Sequence, residues 1–145
     1  MRDDVSKLVV DASVFVHAYQ TAGAPRIRSR MADWQLAGVV FHVPALWRYE
    51  VTNALYRNVK AGLTSVMRGE ESLSKILALP VEYHDERELH AEATAIALRL
   101  NAGDAYDAHY LALARRLDIP FYTADAKLYG PASKLFPNVE LLPVE

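Results

Sequence analysis

Short apolar runs alternate along this chain with longer segments in which apolar residues recur every three or four positions. Five runs have the valine, isoleucine and aromatic content typical of β-strands: KLVV, VVFHVP, VEYH, IPFYT and VELLP. The segments between them predict six helices, over Ser13–Ala22, Arg26–Ala37, Ala45–Ala61, Thr64–Leu79, Glu86–Leu100 and Asp104–Leu117. This alternation predicts an α/β fold, a three-layer α/β/α sandwich around a central, mostly parallel sheet of four to five strands.

Length and composition narrow the class of protein. The chain has 145 residues, 52% of them apolar, which suits one domain over residues 1–145 with one core. It has no cysteine, so neither a disulfide framework nor a thiolate zinc site can form, and we expect a cytoplasmic protein. No stretch offers the roughly twenty apolar residues that a membrane helix needs.

The net charge of −2 gives no strongly basic footprint of the kind found in many nucleic-acid-binding proteins. Setting five clustered acids aside from −2 would leave +3 on the rest of the surface, a mildly basic surround for an acidic centre. The five acids in question are Asp11, Glu50, Asp104, Asp107 and Asp125.

Two of these acids follow predicted strands. Ligands in open α/β sheets bind outside the carboxyl ends of the strands, and Asp11 follows KLVV while Asp125 follows IPFYTA. Each also has an ordinary structural interpretation, since Asp11 or Ser13 could cap a helix and Asp125 could start a turn. Thr123 could orient a metal-bound water, or it could be a threonine chosen for the strand.

Glu50 lies in VPALWRYEVTNALYRNV, on the border of an apolar helical stripe. The stripe is formed by Trp47, Val51, Ala54, Leu55 and Val59. A glutamate with only a solvated role would more often point away from such a stripe, although a border glutamate can also extend its carboxylate to water.

Asp104 and Asp107 stand three residues apart at the start of the sixth helix. Asp107 lies in line with Leu111 and Ala114, on the side predicted to be buried, and an ionised carboxylate there needs a cation, hydrogen-bond donors or water. The opposite, polar side is predicted to be marked by His109, Ala112 and Arg116. Asp104 fits the cap position of a capping box whose third helical residue is Asp107.

Several carboxylates within a few ångströms repel one another unless they are protonated or bridged by a cation. An oxygen-only cluster favours a hard ion such as Mg²⁺ or Mn²⁺, which can lower the pKa of water and neutralise charge on a phosphodiester.

Four segments in this order, VVDASVFV, VPALWRYEVTNAL, YDAHYLALARRL and PFYTADAKL, resemble the successive motifs of the PIN domain family, especially its VapC-type toxin branch. The resemblance runs from Leu8 to about Leu142. It implies the three-layer sandwich, Mg²⁺- or Mn²⁺-dependent endoribonuclease activity that leaves a 5′-phosphate and a 3′-hydroxyl, and the role of toxin in a type II toxin–antitoxin pair. The partners it implies are an RNA substrate, an antitoxin protein and a second copy of the chain, alone or in a hetero-oligomer with the antitoxin.

The resemblance also implies residue roles. It makes Asp11, Glu50, Asp107 and Asp125 the catalytic, metal-binding quartet. In this arrangement Asp11 and Asp107 hold the principal ion, and Glu50 and Asp125 complete its shell through water or help to recruit a second ion. In a separate, accessory set, Ser13 and Thr123 match flanking hydroxyls, and Asp104 is a cap, a holder of water or an extra ligand.

The remaining polar residues give weaker signals. The five histidines, His17, His42, His84, His90 and His109, lack the helical spacing of a zinc pair and are predicted to have structural or surface roles. Phosphate contacts are plausible for Arg26, Arg28, Arg30, Arg48, Arg57, Lys60 and Lys127, although such residues usually form a solvated face. Trp47 and Tyr49 could stack on bases, but Trp47 belongs to the apolar stripe and is expected in the core.

Three other kinds of function are considered, and the first two would also place acids at strand ends. Phosphohydrolases that form an aspartyl-phosphate usually carry a second aspartate two residues after the first, where this chain has Ser13. A phosphoacceptor signalling domain would want an acidic pair there too. The third possibility is a non-catalytic interaction module that uses the apolar stripes of Arg26–Ala37 or Thr64–Leu79, although core packing explains those stripes equally well.

Overall fold

A computed structural model of the chain describes residues 6–20 and 23–144. The strands are β1 Lys7–Val10, β2 Val40–Pro44, β3 Val81–His84, β4 Phe121–Thr123 and β5 Val139–Leu141. The helices are α1 Ala12–Gln20, α2 Pro25–Leu36, α3 Leu46–Lys60, α4 Val66–Leu77, α5 Arg87–Leu100, α6 Tyr106–Leu117 and α7 Ala126–Leu135. None of the described helices is long and apolar enough to span a membrane.

The predicted α/β fold is confirmed, with five parallel strands between layers of helices. All five predicted strands and all six predicted helices are present, and their described ends differ from the predicted ones by at most two residues. The predicted end of the first helix at Ala22 lies outside the described residues.

The sequence interpretation missed α7. Gly130 and Pro131 lie inside this helix, and both are residues that usually interrupt helices. Asp125 offsets them by capping the first turn, where its side chain accepts from the backbone N–H groups of Lys127 and Leu128. A good cap and packing against β4 and β5 therefore outweigh poor local propensity.

The strand order β3-β2-β1-β4-β5 puts the topological switch point of the sheet between β1 and β4. The chain first builds outward from β1 to β3, and then returns to the other side of β1 through α5 and α6. Val9 pairs with Phe121 and Val10 with Tyr122, so the residues that follow both strands leave the sheet side by side. This is the place where open α/β sheets bind ligands.

Aromatic side chains fill the core on one face of the sheet. Phe15 of α1 meets Phe41 of β2 and Trp47 of α3 edge to face, with ring centroids 5.1 Å apart in both pairs. Trp34 of α2 packs in the same way on Phe41. On the other face, Tyr110 of α6 stacks on Phe121. Trp47 is therefore a core residue, as its place in the apolar stripe predicts.

We expect Phe15→Ala to lower the free energy of unfolding by about 3–5 kcal/mol, because it removes a buried ring that contacts two other aromatic side chains. Urea unfolding followed by circular dichroism measures the loss. Leu98→Ala is the control, because Leu98 is exposed and its replacement should change the free energy by less than about 0.5 kcal/mol. Equal losses for both variants would contradict this assignment of the core.

Candidate functional site

A cleft of about 250 Å³ opens at the switch point between β1 and β4. It is lined by Asp11, Ala12, Ser13, Glu50, Asn53, Ala54, Arg57, Asp107 and Asp125. The four acids of the expected quartet thus line one space, although they come from four different parts of the chain. The convergence results from tertiary packing, since β1, α3, α6 and α7 each position one acid at this edge.

Asp11 is the most tightly held of the four. Its Oδ1 accepts from the backbone N–H of Ser13 at 3.0 Å and from the Ser13 hydroxyl, and its Oδ2 accepts from the Thr123 hydroxyl. Oδ1 therefore makes the contact of a helix cap, while the whole carboxylate lies in the cleft. The helix-cap contact and the place in the cleft thus belong to the same side chain.

Thr123 connects the two halves of the site. Its hydroxyl donates to Asp11 and accepts from the backbone N–H of Asp125 at 3.0 Å. The residue is completely buried, and its side chain is the link between the end of β1 and the start of α7. Its role in the structure is thus more than strand propensity.

Asp125 caps α7 through one oxygen. Its Oδ1 accepts from the backbone N–H groups of Lys127 and Leu128, at 2.9 and 3.4 Å. The cap fixes the side chain at the wall of the cleft, where its charge contributes to raising the pKa of Asp107. The structural and functional interpretations of this acid are compatible as well.

Glu50 is half-buried on the border of the α3 stripe, as expected. Burial raises the pKa of its carboxyl to about 7, and the nearby charges of Asp107, Asp11 and Asp104 act in the same direction. The Tyr110 hydroxyl opposes this by donating to Glu50 Oε1 at 2.6 Å. Glu50 can therefore gain or lose a proton near neutral pH.

Asp11 and Asp107 also have raised pKa values. Burial raises the pKa of Asp11 to about 6, against hydrogen bonds from Ser13 and Thr123 that favour the charged form. Burial raises the pKa of Asp107, and the charges of Asp125 and Asp104 add to the effect. Carboxylates that resist ionisation in this way fit a bound divalent cation, since its charge would offset both burial and repulsion.

The four carboxylates share the cleft without forming a closed ligand cage. Among the described residues, three or more acidic or histidine side chains have ligand atoms all within 4.8 Å of one another only at His42, Glu82 and His84, at another part of the sheet. A cation in the cleft would therefore have to draw the acids closer together or bind partly through water.

The predicted capping box at Asp104 is wrong. The helix begins at Tyr106 and its N-cap is Ala105, which makes no side-chain cap. Asp104 is exposed, one residue further out, and its Oδ1 accepts from the backbone N–H of Tyr106 at 3.2 Å. It does not line the cleft, but its charge reaches Asp107 and Glu50.

The predicted polar side of α6 is also wrong in part. Asp107 does share a buried side with Leu111 and Ala114, but Ala112, assigned to the polar side, is 0% exposed. The reason is that α6 packs between the sheet and α5, so both sides of the helix need small or apolar residues. His109 is half-buried, and its Nδ1 lies 2.7 Å from the backbone oxygen of Ala105 at the start of the helix.

Sequence reasoning did not single out Tyr110 or Asn53. Tyr110 is completely buried beneath Glu50, and Asn53 lines the cleft three residues after Glu50 on α3. For Asn53 the helical spacing was a usable signal. The contact between Tyr110 and Glu50 joins residues 60 positions apart, so no local pattern could reveal it.

The model of the PIN domain family matches residues 8–133. The chain belongs to the PIN domain family. PIN domains are generally nucleases that use divalent metals, and the acids that line the cleft are the four expected from the motif order. Among curated proteins, none matches this PIN domain.

Several solved structures share the fold, among them the following three. PAE2754 from Pyrobaculum aerophilum has a TM-score of 0.67 and 18% identity, covering 95% of this PIN domain and 85% of that chain. VapBC2 from Rickettsia felis, bound to a DNA fragment from its promoter, has a TM-score of 0.66 and 12% identity, covering 96% of this PIN domain and 99% of that chain. VapC20 from Mycobacterium tuberculosis, a toxin that cleaves the sarcin–ricin loop, has a TM-score of 0.62 and 17% identity, covering 89% and 95%.

The metal-free protein should lose stability as pH rises through the titration of Asp11. Its pKa is raised from 3.8 to about 6 on folding, so the folded state binds more protons in this range and ionisation favours unfolding. The difference in unfolding free energy between wild type and Asp11→Asn should change by up to about 3 kcal/mol between pH 4 and 7.

Urea unfolding in EDTA at several pH values measures this difference, and subtraction removes the contribution of the histidines. Asp33→Asn, at an exposed position of α2, is the control. Its difference in unfolding free energy from the wild type should vary less with pH. A difference between wild type and Asp11→Asn that is constant with pH would contradict the raised pKa of Asp11.

Tyr110→Phe should raise the pKa of Glu50 further, because it removes the hydroxyl that stabilises the carboxylate. The Glu50 carboxyl resonance, followed by NMR during a pH titration, reports the shift. Tyr49→Phe is the control on the exposed side of α3 and should leave the pKa of Glu50 unchanged. A decrease for Tyr110→Phe would show that the hydrogen bond does not favour the charged form.

Proposed function

We propose that this PIN domain is a Mg²⁺- or Mn²⁺-dependent endoribonuclease and the toxin of a type II toxin–antitoxin pair. The catalytic, metal-binding residues in this proposal are Asp11, Glu50, Asp107 and Asp125. The observation that carries it is the meeting of these four acids in one cleft at the switch point of the sheet, three of them with raised pKa values. A nuclease domain over residues 1–145 and a cytoplasmic location remain expectations.

The donor set supports the choice of metal. Carboxylate oxygens alone line the acidic part of the cleft, and such sets suit Mg²⁺ or Mn²⁺ rather than softer ions. Asp11 and Asp107 would hold the principal ion, and Glu50 and Asp125 would complete its surroundings directly or through water. When bound, the ion would lower the pKa of a water molecule and neutralise charge on the phosphodiester.

Neighbouring side chains orient two of the four acids, Asp11 and Glu50. Ser13 and Thr123 fix the orientation of Asp11 by donating to both of its oxygens. Tyr110 occupies Oε1 of Glu50, which leaves Oε2 free to bind the ion or a water molecule of the ion.

Positive charge and aromatic surface beside the acids support a polyanionic substrate. Arg57 lines the cleft on α3, seven residues after Glu50 and therefore on the same face of the helix. Tyr49, 75% exposed, offers a ring on which a base could stack. Arg30 is less suited to bind phosphate, because its guanidinium lies over the rings of Trp34 and Tyr122.

The similar structures support the biological role. One is a VapBC pair and another is a toxin that cleaves the sarcin–ricin loop. This chain matches more than nine-tenths of the length of each. An antitoxin and a second copy of this chain are therefore the proposed partners. Exposed apolar residues at the end of α3 and the start of α4 offer a surface for either partner: Tyr56, Leu63, Val66 and Met67.

The other functions considered have less support. This chain lacks the second aspartate of an aspartyl-phosphate enzyme. Ser13 occupies that position, and its hydroxyl donates to Asp11. A purely structural interaction module gives no reason to place four acids in one cleft at a cost in stability.

Asp107→Asn should abolish cleavage of labelled RNA in Mg²⁺, because it removes a ligand from the centre of the acid cluster. We expect a rate at least about 100-fold lower, and the same loss for the wild type in EDTA. Asp104→Asn is the matched control three residues away and should keep most of the activity, since Asp104 lies outside the cleft.

Denaturing gels measure the products, and circular dichroism checks that both variants fold. Cleavage that survives EDTA, or that survives Asp107→Asn, would overturn the proposal of a metal-dependent nuclease. Equal losses in Asp104→Asn and Asp107→Asn would overturn the separation of roles within this pair.

A further inference from the structure

A second group of metal-ligating side chains lies at the edge of the sheet formed by β2 and β3. His42 is in the middle of β2, and Glu82 and His84 are on the edge strand β3. In the parallel register His42 pairs with Glu82 and Pro44 with His84, so the three side chains point to the same face. This is a property of strand pairing rather than of sequence spacing.

The ligand atoms are already close together. Nδ1 of His42 lies 2.9 Å from Nε2 of His84 and 3.9 Å from Oε1 of Glu82. One ligand atom from each of the three side chains lies within 4.8 Å of the other two. A tetrahedral ion with bonds of about 2.0–2.1 Å separates its ligand atoms by about 3.3 Å, between the two observed distances.

Burial holds the His42 ring in place in the strand. The residue is only 6% exposed, and its Nε2 is buried without a hydrogen-bond partner. The other ring nitrogen, Nδ1, faces His84 and Glu82, so Nδ1 is the nitrogen placed to bind an ion here.

His84 has a carboxylate near the ring nitrogen that faces away from His42, at ion-pair rather than hydrogen-bond distance. While its Nε2 faces His42, its Nδ1 lies 3.6 Å from Oε1 of Glu86. A carboxylate on the far ring nitrogen orients the imidazole and makes the metal-facing nitrogen a better donor. Glu86 would therefore support an ion without touching it.

Two imidazoles and one carboxylate select a different metal from the cleft. Imidazole suits Zn²⁺, Co²⁺ and Ni²⁺, whereas Mg²⁺ prefers oxygen ligands throughout. Three protein ligands leave one position of a tetrahedral ion for water.

We propose that His42, Glu82 and His84 form a binding site for a divalent transition metal of the Zn²⁺ class, separate from the acidic cleft. The ion cross-links the edge strand β3 to β2. It also steadies the packing on α3, because Tyr83 of β3 lies against Trp47 and beneath the guanidinium of Arg48. The proposal does not depend on the nuclease function.

Two features limit the affinity. A metal on Nδ1 of His42 leaves its Nε2–H buried without an acceptor, and the positive charge of Lys7 acts on the same ring. With three ligands rather than four, we expect a dissociation constant of about 1–10 µM for Zn²⁺. That range is easily separated from adventitious binding to single surface histidines.

The test is a titration of tag-free protein with Co²⁺, followed by visible absorption, and with Zn²⁺, followed by calorimetry. His84→Gln should weaken binding at least about 100-fold, and Glu86→Gln about 10-fold. Zn²⁺ should raise the melting temperature of the wild type by about 5 °C or more at a large excess over the dissociation constant, and leave that of His84→Gln unchanged.

Two controls locate the ion. His90→Gln removes a histidine from the exposed pair of His90 and His109, and Asp107→Asn removes an acid of the cleft; both should keep the affinity of the wild type. If His42→Gln does not fold, His84→Gln and Glu82→Gln still decide, since both lie on the edge strand. Affinity unchanged in His84→Gln, or lost in Asp107→Asn, would overturn the proposed site.

Discussion

The ionisation of a carboxylate buried at the end of the central strand is the constraint on which the rest of this site depends. Asp11 cannot move away from the interior because β1 is flanked by strands on both sides. Its charge is tolerable only with donors around it, and Ser13 and Thr123 supply them. Those two hydroxyls come from the first turn of α1 and from the end of β4. The acids that arrive from α3 and α6 then raise the energy of a site that is already costly to ionise.

Much of the architecture was predictable because strands and helices leave local patterns. The apolar runs marked every strand, and Asp11 and Asp125 could be placed at strand ends without any knowledge of packing. The errors occurred where tertiary contacts override local rules. Packing against the sheet stabilises α7 despite Gly130 and Pro131, and the covering helix α5 buries Ala112 on a side that looked polar.

The contacts missed entirely are those between distant parts of the chain. Tyr110 and Glu50 meet across 60 positions, and His42 and His84 across 42. Each partner looks ordinary in its own segment, as a core tyrosine, a border glutamate or a strand histidine. Their chemistry follows from strand order and helix packing, which periodicity does not encode. Sequence thus located single residues more reliably than it assigned the partners that tune them.

The order of the strands has a consequence for how the molecule is made. The central strand β1 is synthesised early, but its neighbour β4 and the residues Asp107, Thr123 and Asp125 come from the last third of the chain. During translation, Asp11 is therefore synthesised before its donor Thr123 and before Asp107 and Asp125. The cleft cannot assemble until the residues through Asp125 have been synthesised, so the order of translation delays the appearance of a complete site.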